Sequence, residues 1–80
     1  MEDTINEFIE ILQSILPDLP SKVRPYLEEV LSELEKPMDS ERLMKVQDEL
    51  EAISNMPNID DYSRTEIFNI VTLIEGLYNS

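Results

Sequence analysis

The sequence predicts an all-α protein, a four-helix up-and-down bundle built from two repeated helical hairpins. Three observations carry that expectation. Apolar residues recur at spacings of three and four in four successive segments, prolines and turn residues separate those segments, and the second half of the chain repeats the pattern of the first. No run alternates with period two between turn signals, so no strand is expected.

The first helix is expected over residues 4–16, where Ile5, Phe8, Ile9, Leu12, Ile15 and Leu16 line one face. Asp3 or Thr4 would cap it, and Pro17 would end it by excluding the α conformation at Leu16. The second, over 20–36, carries Val23, Leu27, Val30, Leu31 and Leu34. Pro25 is its awkward residue, because a proline one turn into a helix removes a hydrogen bond and clashes with the preceding turn. The segment before Pro25 is therefore read as a loose first turn.

The third helix, over 40–55, has Asp39 or Ser40 as its N-cap and Leu43, Val46, Leu50 and Ile53 as its stripe. Asn55, which tolerates a left-handed conformation, and Pro57 would stop it. The fourth, over 60–77, is capped by Asp60 or Asp61. Its stripe of Ser63, Ile67, Ile70, Val71, Ile74 and Leu77 is widened by Phe68 and Leu73, so it is expected to be the most buried. Gly76 either closes this helix in a left-handed conformation, leaving Tyr78 to Ser80 frayed, or is passed through.

Eighty residues leave room for one domain, 1–80, close to the size at which a single core folds unaided. Eighteen Asp and Glu against six Lys and Arg give a net charge of -12, which repels phosphate backbones and anionic lipid; no nucleic acid and no membrane are expected as partners. With no Cys and no His, disulfides, thiolate nucleophiles and His-based acid-base pairs are excluded, as is nearly all transition-metal ligation. The start Met1-Glu2-Asp3 lacks a positive leader region and no apolar run approaches a membrane span, so a cytoplasmic protein is expected.

Sliding the chain by forty residues lays Pro17 on Pro57, Leu19 on Ile59, Arg24 on Arg64, Leu27 on Ile67, Val30 on Ile70, Leu34 on Ile74 and Glu35 on Glu75. Each half reads as one hairpin that cannot bury its stripe alone. The sequence Pro57-Asn58-Ile59, then Ser63-Arg64-Thr65, then Ile67-Phe68-Asn69-Ile70-Val71 and Ile74-Glu75 resembles uncharacterised protein family number 0147, small archaeal proteins; Leu19 to Arg24 resembles that family's first-half motif. Where the family tends to place a proline, this chain has Asp60. The resemblance implies a four-helix bundle of archaeal, cytoplasmic origin and no activity.

Arg24 and Arg64 hold equivalent places and pose a choice between a paired anion site and a structural role, either intrahelical ion pairs or hydrogen bonds to the carbonyl ends of a neighbouring helix. The structural role is the stronger reading in so negative a field. Phe68 stands one turn after Arg64, where the first half has Glu28; Arg64, Phe68 and Leu73 make the candidate interaction surface. The acids do not suggest a metal site: Glu28 with Glu29, and Asp60 with Asp61, diverge as helix neighbours, while Glu7 with Glu10, and Glu29 with Glu33, share solvated faces.

Tyr26, Tyr62 and Tyr78 offer hydroxyls but no base stands ready to activate them, so no catalytic, cofactor or metal residue is assigned. The function expected is a non-catalytic, cytoplasmic protein-interaction module whose protein partner is unspecified, either as monomer or homo-oligomer. The alternative is a small-ligand or divalent-cation binder, or an enzyme, using carboxylates and Tyr hydroxyls in an inter-hairpin pocket.

Overall fold

A computed structural model describes residues 2–78, and the side chains of residues 3–77. Among the described residues there are four α-helices and no strand: α1 Glu2–Ile15, α2 Arg24–Leu34, α3 Ser40–Ser54 and α4 Asp61–Tyr78, with a short 3-10 turn at Leu16–Asp18. The protein is all-α.

Helix α1 begins before Asp3 and Thr4, so these residues lie within its first turn and not at a cap ahead of it. Acids there still suit the positive end of the helix dipole. The 3-10 turn carries Pro17 near its start, and the backbone turns out into an extended conformation at Leu19. Leu19 itself is buried, so this connection contributes to the core as well as closing a turn.

Helix α2 starts at Arg24 and not near Pro20, and this placement resolves Pro25. Val23 is the N-cap, which puts Pro25 in the first turn, where its missing N–H is one that no helical carbonyl would have met. Residues 21–23 form a turn closed by the amides of Val23 and Arg24 on the Pro20 carbonyl, at 2.9 and 3.1 Å.

Asp39 caps α3, its carboxylate accepting from the Arg42 amide at 2.8 Å. Helix α3 closes at Asn55 in a right-handed conformation (φ -92°), so Asn55 is not the left-handed residue. That role falls three residues later, to Asn58 with φ 69°. The chain reverses after Pro57 and needs the left-handed step there, where Asn is among the few residues that supply it at low cost. Asp60 then receives the Ser63 amide at 3.2 Å and heads α4. Helix α4 runs through Gly76, which has no positive φ and open space where a Cβ would stand. The fraying expected over residues 78–80 concerns the Tyr78 side chain and residues 79–80, which lie outside the described residues.

Helices adjacent in sequence pack on one another, most extensively α3 on α4, and α1 also meets α4. Glu33 near the end of α2 meets Arg42 near the start of α3, while Tyr26 near the start of α2 lies level with Met56 beyond the end of α3. These two helices therefore run antiparallel. Phe8, Leu12 and Ile15 of α1, Leu27 and Val30 of α2, Leu50 and Ile53 of α3, and Ile67, Ile70 and Ile74 of α4 are all sealed from solvent in one core. Phe68 and Leu73 do not widen the buried face of α4, being 45% and 52% exposed. A helix that touches its neighbours along one side can bury an arc of its circumference, and both residues fall beyond that arc.

Ser63, at the position where the first half has the buried Val23, is sealed into the core. Its hydroxyl lacks a partner in hydrogen-bonding geometry. Its closeness to the Asp60 carboxylate nevertheless holds that group below the ordinary carboxylate range, and amides of the helix start add to the effect.

Candidate functional site

Each of the two arginines singled out by the repeat is engaged by backbone carbonyls. Arg24 donates from Nε to the Leu19 carbonyl at 3.0 Å and from an Nη to that of Pro17 at 3.1 Å. Arg64 donates to the carbonyls of Ser54 at 2.9 Å and Met56 at 3.3 Å. A guanidinium there satisfies carbonyls that have no helical donor and opposes the negative end of the preceding helix. The two roles are alike, but the acceptors are not at matching positions: Arg24 reaches back five and seven residues, Arg64 ten and eight.

The residues of the candidate interaction surface separate into two edges. Arg64 and Phe68 are one turn apart on the same side of α4, whereas Leu73 is five residues from Phe68, about 140° around the helix. Leu73 shares its edge with Tyr62, which is 63% exposed. The solvent face of α4 is thus bounded by an aromatic on one edge and an apolar residue with a tyrosine on the other.

A polar cluster joins α2 to α3. Glu33 pairs with Lys36 at 3.2 Å and with Arg42, and its own side chain is largely covered. The Lys36 hydrogen bond, reinforced by the charges of Lys36, Lys45 and Arg42, holds the Glu33 carboxyl below its ordinary value against the opposing effect of burial. This cluster fastens the α2–α3 connection.

Further along the same seam lies a groove of about 210 Å³ between Tyr26, Glu29, Glu49, Ala52, Ile53 and Met56. It shares Tyr26 and Met56 with a second hollow of about 450 Å³ that continues past Val23 and Pro57 to Lys22 and Asn58. Burial pushes the Glu49 carboxyl up; Lys45, 4.0 Å away, pulls it down, and the charges of Glu29 and Glu33 raise it further. An ionised Glu49 is therefore under-compensated.

The sequence holds a signal for this groove that apolar stripes alone do not convey. Lys22, Tyr26, Glu29 and Glu33 on one side, and Lys45, Glu49, Ala52 and Met56 on the other, each recur at three- and four-residue spacing, directly beside the buried stripes. Apart from Lys22, in the turn before α2, and Met56, just past α3, they are edge residues of two neighbouring helices and meet where those helices run side by side.

A larger open cleft, about 710 Å³, lies between Ile5, Asn6 and Ile9 of α1 and the Leu34–Met38 stretch. Its lining among the described residues includes Glu35 and Lys36 but no second acid and no tyrosine. Among the described residues no three Cys, His, Asp or Glu side chains converge as a metal site would need, and no helix is long and apolar enough to cross a membrane. The Tyr78 hydroxyl lies outside the described residues.

Fold and surface together define a small acidic helical-bundle protein with a filled core and apolar side chains left in solvent. The chain belongs to the uncharacterised protein family UPF0147, whose family model matches residues 1–77. No curated protein and no solved structure matched the chain.

Proposed function

We propose that the chain is a non-catalytic, cytoplasmic protein-interaction module that presents an acidic helical surface. The observation that carries this reading is the exposure of Phe68 and Leu73 on α4 beside a core already filled by Ile and Leu. Phe68 on one edge of α4 and Leu73 on the other are apolar side chains that a partner lying along that helix would cover. Arg64, anchored by its carbonyl bonds beside Phe68, adds the aromatic-arginine combination common at interface hot spots.

The test is affinity capture from the native cell with mass measurement of the complex, run with the wild type and with Phe68→Ala and Leu73→Ala. A partner retained by the wild type and lost from a variant of unchanged helical content supports the reading. A mass that shows only the monomer, for wild type and variants alike, overturns it. The same measurement reports self-association.

The second reading, a small-ligand or divalent-cation binder or an enzyme, has Glu49 in its favour, a partly buried acid with a raised pKa in a groove that also holds the Tyr26 side chain. Titration with Ca²⁺ or Mg²⁺ tests its cation form: saturable shifts at Glu29 and Glu49 would support it, and shifts spread over all carboxylates would remove it.

A further inference from the structure

The α2–α3 groove is an apolar floor with an acidic wall at one end and a cation at the other. Ile53, buried at its base, and Ala52 of α3 with Met56 just past its end form the floor; Tyr26, 53% exposed, stands over it from α2. From Glu49 the groove follows the last turns of α3 to Met56 just past its end, a span of about 10 Å, and it continues past Pro57 into the hollow beside Lys22. That is long enough for two turns of helix or a short extended segment and open along its length.

We infer that this groove docks a basic amphipathic segment of another protein, which lays apolar side chains over Tyr26 and Met56 and seats a lysine or arginine head between Glu29 and Glu49. The inference rests on the reading of the chain as an interaction module and names the class of partner. Charge complementarity selects the occupant. A second copy of this chain brings a net charge of -12 to a wall that is already negative, and nucleic acid and anionic lipid bring the same sign.

A guest cation supplies what the wall lacks. Glu29 and Glu49 line the groove from its two sides, while Glu33 beyond it already engages Lys36 and Arg42. The nearest cation to Glu49 is Lys45 at 4.0 Å, whose charge also acts on Glu33. The floor suits an apolar guest of variable shape, since a thioether side chain such as Met56 repacks readily and a tyrosine offers a flat face to an aliphatic chain or a guanidinium. Lys22 at the far end gives the groove a direction: the basic end of the guest lies at Glu29 and Glu49, and a neutral or acidic residue lies beside Lys22.

The experiment is an amide-shift titration of the full chain with a synthetic amphipathic peptide of about fourteen residues, leucines on one face and arginines on the other. Expected are saturable shifts confined to residues 20–33 and 45–58, and affinity at least tenfold weaker for Glu29→Gln with Glu49→Gln, and likewise for Met56→Ser. Substituting the exposed pair Glu7→Gln with Glu10→Gln, which removes the same charge elsewhere, should change affinity less than twofold.

Equal weakening by both glutamate pairs would overturn the inference, because it would mean attraction to net charge alone. So would shifts centred on Phe68, shifts spread over every helix, or no shift at millimolar peptide and low salt. Binding of 1,5-diaminopentane as strong as that of the peptide would also overturn it, since the apolar floor would then contribute nothing. A partner captured by the wild type and lost on Phe68→Ala, with the groove silent, would sink this inference while leaving the interaction reading standing.

Discussion

At the scale of single residues, two carboxylates on one seam show how the surroundings act on a charge. Glu33 and Glu49 lie on the same seam and are shifted in opposite directions. Glu33 gains Lys36 and Arg42, so its carboxyl titrates lower in the folded chain than in the unfolded one. Its contribution is present above the unfolded carboxylate value and is lost as pH falls through the folded one. Glu49 is raised by burial and by its acidic neighbours. Its contribution is the reverse, fully present below the unfolded value and lost as pH rises through the folded one. Glu49→Gln is therefore expected to raise the urea midpoint at pH 7, with the advantage fading as pH falls through the raised folded value of Glu49 and gone once pH is below the ordinary glutamate value of 4.5. A variant less stable than wild type at pH 7 would show that the Lys45 pair outweighs burial.

Individual helices carry their own signals at the ends, and these decide most of what the repeat does. Arg64 links the start of α4 to the carbonyls that end α3, two bonds from one charged group to acceptors that lack helical donors. Arg64→Gln is expected to cost about 1–2 kcal/mol, since bonds from charged groups contribute more than neutral ones but this side chain is only partly buried. Urea unfolding with an unchanged slope would measure it. Gly76 gives the opposite expectation. It sits inside α4 with a helical backbone and nothing within 4 Å of an added Cβ, so Gly76→Ala should stabilise by roughly 0.5–1 kcal/mol, less if the last turn frays. A loss of stability would mean that the backbone there needs the freedom of glycine.

Element ends also show which local signals can be read from sequence. Proline and aspartate mark the breaks at Pro17, Pro37 and Pro57 and the caps at Asp39 and Asp60, because these residues act through one or two adjacent positions. The start of α2 falls later than expected because the turn at residues 21–23 has no sequence mark stronger than Pro25 itself. The left-handed step expected at Asn55 belongs to Asn58, since either asparagine can adopt that conformation and the path of the chain into α4 decides which one must.

Over the whole molecule the dominant feature is charge. Eighteen acids and six bases on a chain of 80 residues repel one another more in the folded state than in the expanded one. Raising NaCl from about 0.01 to 1 M shortens the screening length from about 30 to about 3 Å, so the melting temperature should rise. An increase of about 4–8 °C would correspond to about 1 kcal/mol in a domain of this size. A fall would show that the cluster of Glu33 with Lys36 and Arg42 contributes more than the general repulsion takes away.

By itself the sequence determined that the chain is helical, where most of its helices break, and most of the helix residues that enter the core, because these follow from a repeat of 3.6 residues and from local backbone preferences. Only the tertiary structure decided the surface. Phe68 and Leu73 continue the apolar pattern of α4 yet stand in solvent, since burial depends on where neighbouring helices lie and not on the helix's own sequence. The groove is the same lesson in reverse: Tyr26 and Glu29 on α2, and Glu49 and Met56 along α3 and just past its end, are edge residues of separate elements until antiparallel packing brings the two edges together.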